Sequence, residues 1–267
     1  MGELLRANTL THLVYFRRSR LLLAFGLVFL LLTLLGSLPA IFSSSKVASF
    51  DSLKEIFDTL NLFLVVFGAA LGLLIMSSHL SNRSLKMVFT KPCPPSLWLA
   101  SAFLASALVS LLLFAVVLAG MLILSLAWHL PVRPGLVFIS FDTFLAAVQM
   151  SAYFIFLDTF LHPAIAVAFA LVFNASLFYW LRIWAHGAAA TYGKSIMLRG
   201  LERVFHFLYL LVPMTHPFES KTGAIYSSFR VHAHDWRYLL YSLGYTLTLS
   251  ALFFLLSLFS LQRKRFS

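Results

Sequence analysis

Charge and cysteine are what this sequence has least of. Only 11% of its 267 residues are charged, and just nine of them are Asp or Glu; a soluble domain carries about a quarter, so a fold closed by solvated charged faces is excluded. A single cysteine, Cys93, excludes an intrachain disulfide and a thiolate metal cluster. The chain has no H-E-x-x-H pair and no serine in a G-x-S-x-G elbow, so no catalytic residue is assigned. Ala188 to Ser195, AAATYGKS, approaches the spacing of a phosphate loop. Ala188 stands where the first glycine belongs, however, and an apolar span precedes it instead of a strand. That excludes a nest of backbone N–H groups between strand and helix, and with it ATP hydrolysis by this chain. His232 and His234, beside Asp235, come with no third ligand placed by the sequence, so no metal site is assigned.

What the sequence has in abundance is apolar length. Nearly charge-free stretches cover about 21–42, 59–76, 97–128, 137–160, 164–184 and 236–261. A hydrocarbon core of roughly 30 Å needs about 20 helical residues, and the runs lack the alternation of barrel strands. The predicted fold is all-α: a polytopic membrane protein of six transmembrane helices in one domain, residues 1–267, with no appended soluble module.

The formal charge of +11 lies beside these spans, not in a stripe with a groove-reading element, so nucleic acid is not a predicted partner and anionic lipid headgroups are. Arg6, Arg17, Arg18 and Arg20 precede the first span, Arg83, Lys86 and Lys91 lie between the second and third, and Arg263, Lys264 and Arg265 follow the last. Clusters of this kind mark the cytoplasmic side, which puts both termini inside. Ser43 to Asp58 reads as a short outer connection. Trp184 to Trp236 also lies outside despite its Lys and Arg, and Tyr179, Trp180, Trp184, Trp236, Tyr238 and Tyr241 form its aromatic belt.

Two connections have a pattern of their own. Ser77 to Ser96 leads from a polar, basic half through a short amphipathic turn to Pro92, Pro94 and Pro95, as a brief helix on the inner face ended by prolines would; a basic loop that only holds two spans in register accounts for the same charges. Lys194 to Val212 begins amphipathic and ends in an apolar run interrupted by His206. That run is too short to cross, so the segment lies in the interface or dips in and returns.

Polar residues inside the spans are the candidates for a path or for ties between helices. Asp142 and Asp158 are sixteen residues apart, which at about 100° per residue puts them on nearly opposite faces and excludes a carboxylate dyad. Both are expected near span ends within reach of water, Asp158 one turn from His162. Gln149 shares the Asp142 face and Asn174 falls mid-span; amides there commonly bond between helices, and Asp142, Gln149 and Asn174 are also the candidate transport path. Gly68 and Gly72 form a G-x-x-x-G, and Ala102, Ser106 and Ser110 step by four, either pattern serving close packing within the bundle or between subunits.

Six spans, a basic proline-ended loop after the second, a non-spanning helix before the last, and the segment NRSLKMVFTKPCPPSLWLASAFLA from Asn82 to Ala105 together resemble the permease subunits of type-2 ATP-binding-cassette transporters. Where that family carries an acidic residue before the turn, this sequence has His79 and Ser81. The resemblance implies that Asn82, Arg83, Ser84, Lys86, Lys91 and Pro92 belong to a coupling loop docking on a separately encoded ATPase, which binds ATP and magnesium, and that the chain holds no cofactor. It implies an interfacial helix over Gly2 to Arg20, a second permease subunit (identical or related), export, and a bacterial inner membrane. An ATP-independent channel or secondary carrier, or a membrane scaffold, are the alternatives.

Overall fold

The computed structural model describes residues 2–43, 46–81, 94–130, 134–191, 196–213 and 233–266. Those residues are helical apart from short turns, with no strand among them. The helices are α1 (Gly2–Arg18), α2 (Leu21–Ser43), α3 (Lys46–Ser81), α4 (Pro95–Ala127), α5 (Pro134–Asp158), α6 (Pro163–Val172), α7 (Ala175–Thr191), α8 (Ile196–Leu211) and α9 (Ala233–Phe266). Among the described residues, six spans are long and apolar enough to cross a membrane: α2, α3, α4, α5, α6 with α7, and α9. The chain is an all-α polytopic membrane protein.

α1 leaves the first span at a corner. Arg20 takes a left-handed backbone, φ 59°, and the Ser19 hydroxyl donates to the Phe16 carbonyl at 2.7 Å. Thr9, His12 and Phe16, three to four residues apart, are the buried stripe of α1. They pack on α4, where the His12 and Trp98 rings meet edge-on at 5.7 Å.

Three spans have features that the apolar runs of the sequence do not show. The connection expected over Ser43 to Asp58 is mostly helix, because α3 starts at Lys46. Leu53, Ile56, Phe57, Leu60 and Leu64 recur at helical spacing and are buried, whereas Asp51 and Glu55 on the other side are exposed. An average over the segment counts those charges; the helix needs only one apolar face. The third span begins at Pro95, the favoured first helical position, and ends in paired bonds from His129 N–H to Leu126 C=O (3.1 Å) and from Leu130 N–H to Ser125 C=O (2.8 Å). That Schellman pattern puts His129, φ 53°, where glycine is usual. The fifth span is broken at Phe173 and Asn174. Asn174 Oδ1 accepts from the Leu177 N–H at 2.9 Å and its Nδ2 donates to the Leu171 carbonyl at 2.8 Å, so one amide serves free backbone groups on both sides of the break.

The core lies between α3, α4 and α5. Gly68 faces the backbone of Ala147, and Gly72 faces Ser151 and Phe154, so the G-x-x-x-G closes α3 on α5 inside the bundle. Ala102, Ser106 and Ser110 of α4 are buried there too. Gly68 with Ala147 and Gly72 with Ser151 advance together along the two helices, as do Asp142 with Ser242 and Gln149 with Thr246. Spans two, four and six therefore run parallel, which requires an odd number of crossings between α5 and α9. Among the described residues the broken fifth span supplies a crossing, whereas α8, 16 residues long, reaches only about 24 Å.

α8 folds back antiparallel on α7. His186 Nδ1 lies 3.1 Å from Glu202 Oε1, and the Tyr179 and Tyr209 rings are 6.2 Å apart. The Tyr245 hydroxyl lies 2.9 Å from the Leu210 carbonyl and 3.2 Å from that of Val212, tying the end of α8 to the sixth span. Tyr245 is nine residues, about 14 Å along a helix, beyond Trp236 of the aromatic belt. α8 thus dips inward along the spans and does not lie flat.

Candidate functional site

The fourth span is the innermost: 67% of its spanning window is buried, against 11% for the first and 17% for the fifth. It also carries two of the candidate path residues, Asp142 and Gln149. Asp142 and Gln149 are two turns apart on one stripe of α5, and α9 presents Ser242 and Thr246 one turn apart. The Ser242 hydroxyl donates to Asp142 Oδ1 at 3.0 Å, Gln149 Nε2 donates to Thr246 Oγ1 at 2.7 Å, and Thr246 Oγ1 donates to the Ser242 carbonyl at 2.8 Å. Two predicted path residues are thereby joined through partners on another span. All four are buried, Gln149 at 1% exposure. Apolar surroundings strengthen each bond and raise the cost of leaving any member unmade.

A second polar contact crosses the other side of the fourth span, where the Ser106 and Ser151 hydroxyls lie 3.3 Å apart between α4 and α5. On α3, Asn61 is 8% exposed, and neither atom of its amide has a hydrogen-bond partner among the described residues. Asn61 therefore presents an unused donor and acceptor to the bundle interior.

Asn174 does not join this array. Its amide is spent within its own span, so the expected bond between helices is replaced by a cap at the break. Asp158, expected within reach of water, is fully enclosed at the last residue of α5; the end of that span is sealed by the turn into Pro163. His162 is exposed, and its Nδ1 accepts from the Ala164 N–H at 3.4 Å as the cap of α6. Asn82, Arg83, Ser84, Lys86, Lys91 and Pro92 lie outside the described residues, as do Cys93 and His232. Their flanks are described: α3 runs to Ser81, and α4 starts at Pro95 with Trp98 buried under α1. Of the segment resembling a phosphate loop, Ala188 to Thr191 is the last turn of α7, helix where a strand-bounded loop would be needed.

Sequence reasoning missed Ser242, Thr246 and Asn61. Ser242 and Thr246 sit at a spacing of four in an otherwise apolar span, a signal of an inter-helix seam; Asn61 lay in the assumed second span without a marked partner. It also missed a basic cleft between α7 and α8, lined by Arg182, Arg199, Glu202, Arg203 and His206. Arg199, Glu202, Arg203 and His206 fall at i, i+3, i+4 and i+7, one stripe of a helix, and His206 belongs to it instead of merely interrupting an apolar run. Nearby, burial pushes the Tyr209 phenol above its ordinary value, with Tyr179 adding to the effect and the Arg182 charge opposing it.

Compared with known proteins, the chain matches no family model and no curated protein.

Proposed function

We propose that the chain is the permease subunit of a type-2 ATP-binding-cassette transporter, an exporter in a bacterial inner membrane with both termini cytoplasmic. Two such subunits, identical or related, would face each other across the path, and separately encoded ATPases would bind the ATP and magnesium. One observation carries this reading: α1 is locked onto the start of the third span, next to the basic segment 82–93, through Phe16 and His12 on α4. A force applied at that segment would enter α1 and α4 together, and α4 is packed on the innermost span. Asn82, Arg83, Ser84, Lys86, Lys91 and Pro92 would receive the ATPase, and Asp142 and Gln149, tied to Ser242 and Thr246, would hold the fourth and sixth spans together while the outer spans move. A ligand shifts a conformational equilibrium only through its differential affinity for the two states; here nucleotide on the partner supplies that difference. The purified chain alone should show no ATPase activity, and a co-purifying soluble partner should confer it. Arg83→Glu with Lys86→Glu should uncouple hydrolysis from transport or dissociate the partner; a fully coupled complex carrying both changes defeats the docking assignment.

The break at Asn174 favours a second reading, an ATP-independent carrier, because carriers use discontinuous helices at mid-membrane. In its favour stands the continuous polar line from Asp142 to Gln149 through α9. Against it, the amide at the break is consumed by its own span and the span is peripheral. Nucleotide-free transport by the chain alone in liposomes would decide for the carrier.

A further inference from the structure

The basic cleft between α7 and α8 is not used by the transport mechanism above. Its walls come from the antiparallel hairpin, with Arg182 on α7 facing the stripe of Arg199, Glu202, Arg203 and His206 on α8. The cavity holds about 280 Å³, room for a phosphate group and the small polar moiety it esterifies. Three guanidiniums line it against one carboxylate, and that carboxylate lies 3.1 Å from His186 Nδ1. An anion entering the cleft would exchange the hydration of these guanidiniums for charge-assisted bonds, and the guanidinium fork matches phosphate oxygens in bidentate geometry.

The depth of the cleft identifies the kind of anion. Arg182 lies one helical turn inward from His186, and Trp180 and Trp184, on either side of it in sequence, are 67% and 60% exposed. Exposed indoles of this kind settle at headgroup level. The same hairpin exposes Ile183 on α7 and Met197, Val204 and Phe207 on α8, apolar side chains that would lie along acyl chains while the arginines hold the headgroup. We propose that the α7–α8 cleft binds the phosphate of an anionic amphiphile at the membrane boundary. The shared chemistry is a phosphate group with at least one free negative charge; an apolar tail separates a lipid source from a soluble one. The site does not depend on the permease assignment, because it needs neither an ATPase nor a transport path.

The test uses the full chain in nanodiscs of phosphatidylcholine alone, titrated with dihexanoyl phosphatidic acid in one arm and inorganic phosphate in the other, each followed by calorimetry. Saturable binding of the phosphatidic acid is expected, at least about tenfold tighter than inorganic phosphate because the tail adds buried apolar area. Arg182→Gln with Arg203→Gln should weaken it by about tenfold or more, since each change removes a charge-assisted contact. Arg182→Lys with Arg203→Lys should recover part of the loss, which separates ligand binding from misfolding of the hairpin. Arg263→Gln with Arg265→Gln, at the far end of α9, should leave the affinity unchanged. Equal affinity for inorganic phosphate, with the same sensitivity to Arg182 and Arg203, upholds the phosphate site and assigns it to a soluble ligand. No saturable binding in either arm, or binding indifferent to the glutamine pair, overturns the proposal.

Discussion

Adding one methyl group at Gly72 should destabilise the bundle, whereas the same methyl at Gly244 should not. A Cβ at Gly72 would stand 2.5 Å from the Ser151 carbonyl oxygen and 2.9 Å from Phe154 Cβ. Ordinary contact begins near 3.4 Å, so α3 and α5 would have to separate by about 1 Å, and the obstacle is backbone, which has no alternative rotamer. Overpacking of this kind costs about 1–3 kcal/mol. Gly26 and Gly244 have nothing within 4 Å of an added Cβ; there the higher helix propensity of alanine contributes roughly 0.8–1 kcal/mol in the stabilising direction. The two classes should therefore differ by about 2–4 kcal/mol for one and the same substitution. Thermal midpoints of Gly68→Ala, Gly72→Ala, Gly26→Ala and Gly244→Ala, read by size-exclusion chromatography in one detergent, give the comparison. Equal midpoints for all four would refute the packing assigned to α3 and α5. A change of oligomeric state without loss of stability in Gly68→Ala and Gly72→Ala would move the motif to an interface between subunits.

Two further outcomes follow from the polar ties and the backbone. Ser242→Ala should cost about 1–3 kcal/mol by withdrawing a donor from a buried carboxylate, and joining it with Asp142→Leu should recover much of that loss because the polar group to be satisfied is gone; strictly additive midpoints would show that the two do not interact. His129→Gly should raise the thermal midpoint by the equivalent of roughly 1 kcal/mol, because an L side chain at φ 53° bears a steric cost that glycine avoids, and an unchanged or lower midpoint would contradict the Schellman turn at the end of α4.

The six spans were legible because hydrocarbon length is a one-dimensional property: a run of about 20 apolar residues announces itself wherever it stands. Bounds drawn from that property failed where a helix carries charge on its solvent side, as at Asp51 and Glu55 in the first turns of α3. The break of the fifth span was illegible for a related reason, since Asn174 sits in an apolar run without proline or glycine beside it, and only the local geometry shows its amide serving the backbone on both sides. Asp142 and Gln149 were found by their rarity in a span. Their partners were not, because Ser and Thr are tolerated anywhere in a transmembrane helix and gain meaning only from the helix opposite.

Faces were harder to read than spans because a membrane bundle is sorted by size more than by polarity. Between helices in lipid there is no hydrophobic gain from bringing leucines together, since acyl chains are equally apolar. The stretch of α4 from Ser101 to Leu112 follows this rule: Ser101, Ala102, Ala105, Ser106 and Ser110 turn inward with one larger residue, Val109, while Leu104, Leu108, Leu111 and Leu112 face outward. α2, with Leu23, Leu27, Leu30, Leu34 and Leu38 exposed, is nearly all lipid surface. Small residues bring backbones close, and hydroxyls then reach across, as Ser106 does to Ser151 and Ser242 to Asp142. The same rule separates a tightly tied centre, α3 to α5 with α9, from a first and a fifth span that bury little. A rearrangement that keeps the central ties intact must therefore move those outer spans against the centre, and crosslinks from α2 or α7 into the core should respond to a change of state while crosslinks between α3 and α5 should not.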